Sequence, residues 1–260
     1  MARSVFYYHR KRLKTEDKYQ QEKSEILRIY HLNKGRYGYR RITDEIKNLG
    51  YTINHKTVQK LMGILDLKST IRKMHYRSYK GTVGTIAPNV IDRDFKACLP
   101  NQKWATDITQ INIKEEKLYL SPILDIFNGE IISYSISKSP NMKLINEMLD
   151  KAFKKVSNTK ELIFHSDQGW QYQHYEYRKA LEEHGIVQSM SRKGNCLDNA
   201  MAENFFGIMK SELLYAEKFE SSNQFIKSLE GYINYYNNRR IKSRLKGKSP
   251  VQYRALLQGI

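Results

Sequence analysis

Three acidic residues stand out by type and setting. Asp107 lies in Trp104-Ala105-Thr106-Asp107-Ile108-Thr109, Asp167 in Phe164-His165-Ser166-Asp167-Gln168-Gly169, and Glu203 in Asp198-Asn199-Ala200-Met201-Ala202-Glu203. The two aspartates belong to short β-rich runs. Glu203 falls in the first turns of a helical run, with 35 residues between it and Asp167. An Asp at a strand end means little alone, but three acids on two strands and a helix are a candidate cage for hard divalent cations. Mg²⁺ prefers oxygen ligands and is held by a few carboxylates plus substrate phosphate. Two such ions, about 3.5–4 Å apart, activate an attacking oxygen and stabilise a departing one in an in-line phosphoryl displacement. Without metal, carboxylates crowded in this way repel one another and their pKa values rise. Lys210 follows Glu203 by seven positions, close to two helical turns, so the two share a helix face. A cation there can hold a phosphate beside the acids. Asp125 is a rival ligand, and His165 serves either to orient a water or carboxylate or simply to pack.

The elements that must carry these residues are legible from periodicity. Lys103 to Ile113, Leu118 to Asp125 and Ile131 to Ser137 read as strands, the last two joined by an Asn128-Gly129 turn. Met142 to Val156 reads as a helix and Glu161 to Ser166 as a fourth strand. Tyr172 to His184 is a helix closed by Gly185, Ile186 to Met190 a fifth strand, and a long helix opens at Asp198. A meander followed by alternating helix and strand predicts an α/β fold with a mixed sheet and helices packed on it. Asp198 or Asn199 is expected to cap the Glu203 helix.

Charge divides the chain. Residues 1–80 carry 20 Lys/Arg against 7 Asp/Glu and residues 231–260 carry 7 against none, whereas residues 101–230 carry 16 against 18. Two basic ends around a nearly neutral centre fit a polyanionic partner, bound by release of its counterions. The expected organisation is a basic helical region over 1–80, a linker over 81–100 with Gly81, Gly84, Pro88 and Pro100, a catalytic core over 101–230, and a basic segment over 231–260. Within the first, helices are predicted at 20–32, 40–49 and 55–65, with turns at Gly35, Gly38 and Gly50 and a cap at Asn54 or Thr52. That is a plausible helix-turn-helix, whose last helix offers His55, Lys56, Gln59 and Lys60 to a DNA groove. The Ser191–Asn195 stretch, with Arg192 and Lys193, reads as a basic loop beside the acids. Tyr232 to Arg244, with Arg239 and Arg240, reads as a helix that braces the core and grips phosphate. Two cysteines give no disulfide framework, and His9, His31, His55 and His75 have no CxxC partner for zinc. No run approaches the ~18–20 apolar residues of a bilayer span, and the N-terminus has no signal-like apolar stretch. A reducing cytoplasm is the expected compartment.

Several stretches resemble the second-reading-frame products of bacterial insertion-sequence transposases with a retroviral-integrase-like core of the DDE type. They are Gly35-Arg36-Tyr37-Gly38-Tyr39-Arg40-Arg41-Ile42, Trp104 to Thr109, His165 to Gly169, Ser189 to Ala200, and Tyr235-Tyr236-Asn237-Asn238-Arg239-Arg240. They span nearly the whole chain in the family's order. The resemblance implies a ribonuclease-H-like, five-stranded mixed sheet with flanking helices, preceded by a small all-α helix-turn-helix-like domain. It further implies a triad of Asp107, Asp167 and Glu203 holding two Mg²⁺ or Mn²⁺ ions, with Lys210 as the basic residue typical of its position. The expected partners are double-stranded DNA, as element ends and target, further copies of the chain on that DNA, and the product of a preceding frame. The expected DNA contacts are Lys210, Arg192, Lys193, Lys56, Gln59, Lys60, Arg239 and Arg240. The alternative in another class is a non-catalytic DNA-binding regulator from a decayed element.

Overall fold

A computed structural model describes residues 17–70, 85–192 and 196–258, together with positions 3, 6 and 7. The chain forms two compact units, residues 1–70 and 71–260.

In the first unit, three helices pack their apolar stripes together: α1 (Gln20–Leu32), α2 (Tyr39–Asn48) and α3 (His55–Ile64). Ile26 and Ile29, Ile42 and Ile46, and Val58, Leu61 and Met62 are the buried residues of the three, and Tyr37 is fully enclosed in the turn between the first two. The spacing of three or four is what places each set on one face. Asn54 caps α3, its side chain accepting from the Lys56 N–H at 2.9 Å. Gly50, at φ +92°, ends α2 in the left-handed region that favours glycine.

The second unit is built on a mixed sheet of β1 (Lys103–Thr106), β2 (Thr109–Ile113), β3 (Glu116–Asp125), β4 (Ile131–Ser137), β5 (Ile163–Ser166) and β6 (Val187–Met190). β1 and β2 pair antiparallel with the same long strand in one continuous register, from Trp104 opposite Asp125 to Ile113 opposite Glu116. They are therefore one strand interrupted at Asp107-Ile108, and the sheet has five strands' width, ordered β4-β3-β1/β2-β5-β6. The interruption has a local cause: the Ile108 N–H bonds the Asp107 carboxylate at 2.7 Å instead of a ladder partner. β1, β5 and β6 run parallel, linked by α4 (Met142–Lys155), then α5 (Trp170–Gln173) and α6 (Tyr175–Glu183).

Each sheet face has its own core. Trp104, Ile123, Phe164 and Met190 pack with Ile145, Met148 and Leu149 of α4 and Tyr177 and Leu181 of α6. On the other face Ile111, Leu118, Leu120 and Leu124 meet α7 (Ala200–Met209) and α8 (Ser222–Asn238) through Phe205, Met209, Leu229 and Tyr236. α9 (Pro250–Gln258) follows.

Three expectations are corrected. The helix expected over Tyr172–His184 is two, because His174 is extended and its ring accepts from the Glu176 N–H to start α6. The helix expected from Asp198 begins as a 3₁₀ turn (Cys196–Asn199) and ends as a π turn (Lys210–Leu214), where the Tyr215 N–H reaches the Lys210 carbonyl at 2.8 Å. The C-terminal helix starts not at Tyr232 but at Ser222, capped by the Ser221 hydroxyl accepting from Gln224 N–H. Residues 85–102 contain no regular element, yet Pro88 to Arg93 is bound to the core: the Met190 N–H reaches the Pro88 carbonyl, and Ile91 is buried.

Candidate active site

Asp107 sits at the break in the sheet's central strand, and Asp167 follows the end of the neighbouring parallel strand. Parallel strand ends open onto a crevice, the usual ligand position in such sheets. Asp167 turns back on its own chain, accepting the Gly169 N–H at 2.8 Å. A side chain at 169 would collide with it, since a Cβ there would stand 2.9 Å from the carboxylate oxygen. Glu203 is exposed in the first turn of α7, while Asp107 and Asp167 keep only part of their surface in water.

The three acids are electrostatically one group. Burial pushes the Asp107 carboxyl well above the usual carboxylate range, the charge of Asp167 adds to this, and Glu203 adds further. The Ile108 N–H and the Lys210 ammonium oppose the rise. Asp167 is raised as well, by burial, against the pull of the Gly169 N–H. Lys210 is half-buried; burial draws its pKa down and Asp107 draws it back up. The structure thus brings Asp107, Asp167, Glu203 and Lys210 together. Among the described residues, no three His, Cys, Asp or Glu side chains form a ready-made metal cage. Two of these acids bond their own backbone, Asp107 to the Ile108 N–H and Asp167 to the Gly169 N–H.

The other candidates resolve differently. Asp125 is fully buried and accepts from the Asn101 and Phe127 N–H groups at 2.9 and 3.0 Å, with burial lifting its pKa to about 6. It closes the turn after β3 and faces no solvent. His165 packs: it is buried, and its Nδ1 meets the Ser189 hydroxyl at 2.9 Å. That hydroxyl already accepts the Val90 and Ile91 N–H groups, so its own proton goes to the imidazole.

Neither Asp198 nor Asn199 caps α7. Asn199 instead donates to the Thr106 carbonyl at 3.1 Å, tying the helix start to β1 beside Asp107. Asp198, buried, gathers the Arg93 guanidinium at 2.9 Å, the Asn89 amide at 3.1 Å and the Arg192 N–H at 3.1 Å. Sequence reasoning missed this hub; its one signal was the charged Asp92-Arg93-Asp94 run inside a presumed linker.

Of the expected DNA contacts, Lys56, Gln59 and Lys60 are exposed on α3, and Arg239 is exposed after α8. Arg192 is half-exposed and paired with Asp92 and Asp198. Lys193 lies outside the described residues. Arg240 is a correction: it is 2% exposed and cannot reach DNA. Its guanidinium forks onto Glu212, Nε to Oε2 at 2.8 Å and the second nitrogen to Oε1 at 2.6 Å.

Comparison with known proteins gives the same architecture a family. Residues 98–196 and 203–256 match models described as "Integrase core domain", and residues 17–75 match an "HTH-like domain". The chain is 54% identical over 254 residues to the putative transposase InsK for insertion sequence element IS150 of Escherichia coli, covering 98% of this chain and 90% of that protein. It is 52% identical to a transposase-like protein of Haemophilus influenzae, over 78% of this chain and 93% of that one. Among solved structures, the HTLV-2 integrase catalytic core domain in complex with magnesium superposes with a TM-score of 0.50 at 22% identity, over 60% of this chain and 98% of that one. The chain belongs to the insertion-sequence transposases with an integrase core, a family of polynucleotidyl transferases.

Proposed function

We propose that this chain cuts and joins DNA at the ends of an insertion sequence by metal-dependent phosphoryl transfer, with Asp107, Asp167 and Glu203 as the ligands. The observation that carries this is the electrostatic interaction of three carboxylates and one lysine from three separate stretches of chain. The donor set fits hard divalent cations: all-oxygen, negatively charged, and under mutual repulsion that a cation between the side chains relieves. A Mg²⁺-bound relative of the same fold agrees with that choice. When bound, a pair of Mg²⁺ or Mn²⁺ ions activates the attacking oxygen and stabilises the leaving one.

The chain's own residues do the rest. The Ile108 and Gly169 N–H groups each fix one carboxylate oxygen, of Asp107 and Asp167 respectively, which limits how those side chains turn. Lys210, on the face shared with Glu203, offsets the charge of the scissile phosphate. A hydrolytic nick frees a hydroxyl at the element end; that hydroxyl then attacks a target phosphorus in line, forming a new phosphodiester as the target's P–O bond breaks and its sugar oxygen leaves as a hydroxyl. Exposed Lys56, Gln59 and Lys60 on α3 are the groove and backbone contacts of the helical unit, and Arg192 and Arg239 are phosphate contacts of the larger one. Both ends of an element must be processed together, so the working form is a homo-oligomer on DNA.

The test is nicking and strand transfer on the element's own end DNA with Mg²⁺ or Mn²⁺. Asp107→Asn, Asp167→Asn and Glu203→Gln are each expected to abolish both steps while leaving DNA binding intact. Metal-dependent activity surviving in all three variants would refute the assignment. Tight binding with no cleavage by the unaltered protein would favour a regulator.

A further inference from the structure

Lys210 stands at a change in helix type. The α-helix that carries Glu203 ends at Met209, and Lys210 to Leu214 form a single π turn. One-turn π segments depart from the regular ladder and are frequent at functional sites. Something must hold such a turn, and here it is a buried ion pair. Glu212 lies two residues beyond Lys210 and is 7% exposed. Both its oxygens take the Arg240 fork, and Oε2 also accepts the Tyr232 hydroxyl at 2.9 Å. The Arg240 guanidinium lies 5.6 Å from the Tyr236 ring centre, and the Arg240 backbone N–H donates to the Tyr235 carbonyl at 2.8 Å.

Two residues along a helix is roughly half a turn, so Lys210 and Glu212 project to nearly opposite sides. Arg240, just after α8, grips the turn on the Glu212 side, while Lys210, on the other side, interacts electrostatically with Asp107. A buried pair is a poor source of net stability, because desolvation offsets most of its attraction; its best-attested use is to fix one geometry.

We propose that Arg240 and Glu212 are positioning residues for the transfer reaction: their buried fork fixes the widened turn after the Glu203 helix and thereby holds the Lys210 ammonium beside the carboxylates. The proposal rests on the assignment of Asp107, Asp167 and Glu203 as the reacting site.

A double-mutant cycle on the full chain tests it, using Arg240→Lys, Lys210→Ala and the pair. Three quantities are read for each protein: single-turnover nicking of saturating end DNA, the Kd for that DNA, and the thermal unfolding curve. Arg240→Lys keeps the charge but loses the fork, and is expected to slow nicking by about 10- to 100-fold, the scale of a ~1 Å misplacement. Its Kd should stay within about twofold of the parent, since buried Arg240 contacts no DNA. The double variant should be no slower than Lys210→Ala alone, because the fork acts through that lysine. Glu212→Gln, which keeps size and one acceptor, should behave like Arg240→Lys if Arg240→Lys proves poorly folded. Multiplicative losses in the cycle overturn the proposal, as does a rise in Kd that accounts for the slower nicking. An inert Lys210→Ala overturns it too. Asp107→Asn is run beside them: activity retained there overturns the site assignment itself and the proposal with it, whereas a dead Asp107→Asn with a multiplicative cycle sinks only the fork.

Discussion

Replacing Asp107 by Asn should kill the enzyme and stabilise its fold. In the metal-free protein the Asp107 charge is disfavoured first by burial, then by Asp167 and, more weakly, by Glu203, against the help of the Ile108 N–H and Lys210. Asn keeps nearly the same volume, and its amide oxygen can still accept the Ile108 N–H now bonded at 2.7 Å. What is lost is one negative charge in a crowded place. Asp107 retains some access to water, so the gain is about 1–2 kcal/mol, within the usual range for relieving a functional site. Residues 71–260 form one unit, and for a domain of that size each kcal/mol moves Tm by about 2–4 °C. The expected rise is roughly 2–8 °C at pH 8 with a chelator present. The pH dependence has a definite sign. Folding raises the Asp107 pKa, so the folded chain holds that proton more tightly than the unfolded one. The stability this gives is full below the unfolded pKa and is lost as pH rises through the folded value. The gap between variant and parent should therefore close below about pH 4, where the parent's carboxyl is protonated in both states. Excess Mg²⁺ should reverse the order, because binding at 100 times Kd stabilises the parent by about 2.7 kcal/mol. Differential scanning fluorimetry across pH, with chelator or Mg²⁺, reads all of this. A parent more stable than Asp107→Asn at pH 8 in chelator would show that the carboxylates are not crowded, and the metal assignment would lose its physical basis.

Two further outcomes are expected. Asp198→Ala should cost about 1–3 kcal/mol in urea unfolding at pH 7, less than a fully buried pair because Arg93 and Arg192 can turn to water. Burial acts to raise the Asp198 pKa, but Arg93 and the Arg192 N–H and charge bring it below the usual range, so this stability is present above the unfolded pKa and lost as pH falls through the lowered one; the variant should match its parent in strong acid and be cleaved faster by protease within residues 85–96 at neutral pH. Gly169→Ala, at an ordinary negative φ of −57°, should barely change Tm yet cut nicking about tenfold or more, because its Cβ displaces the Asp167 carboxylate; unchanged nicking would mean that this oxygen has room to move.

The parts of this fold legible in the sequence are those whose period follows from burial on one face. β4 has the bounds Ile131–Ser137 expected from its residues, and α4 ends one residue short of Val156. Alternation and helical spacing carry that information locally. The break at Asp107-Ile108 is not periodic: it depends on a carboxylate bonding its own chain, inside a run that otherwise alternates well. The π turn is likewise invisible, because its cause, Arg240, lies 28 positions from Glu212. Arg240 misled for the same reason. In a count of charge every arginine is a solvated cation, and nothing near Tyr235–Arg240 announces that one of two adjacent arginines turns inward. The three acids can be singled out because the proposed chemistry constrains residue type; the ion pairs around their helix cannot, because an ion pair needs only opposite charges, and the chain holds many.

The three carboxylates are not equally fixed. Asp107 directly follows the central strand β1 and Asp167 directly follows its parallel neighbour β5, so each hangs on the end of a ladder of backbone hydrogen bonds. Glu203 belongs to no strand. Its helix is anchored at the start by Asn199 on the Thr106 carbonyl and by Asp198 on Arg93, and beyond its end by Glu212 on Arg240. Each of these ties is a side-chain contact that one substitution removes at a cost of a few kcal/mol, whereas moving the backbone of either aspartate disturbs the end of a paired strand. The partners come from residue 93, before the core's first strand, and residue 240, after its last long helix. Changes in the segments just before and after the sheet, around Arg93 and Arg240, therefore act on the helix of Glu203 and Lys210 and leave the strands that carry the aspartates in place. Segments outside the sheet thus set the helix that carries Glu203, while the strands set the backbone that carries the two aspartates.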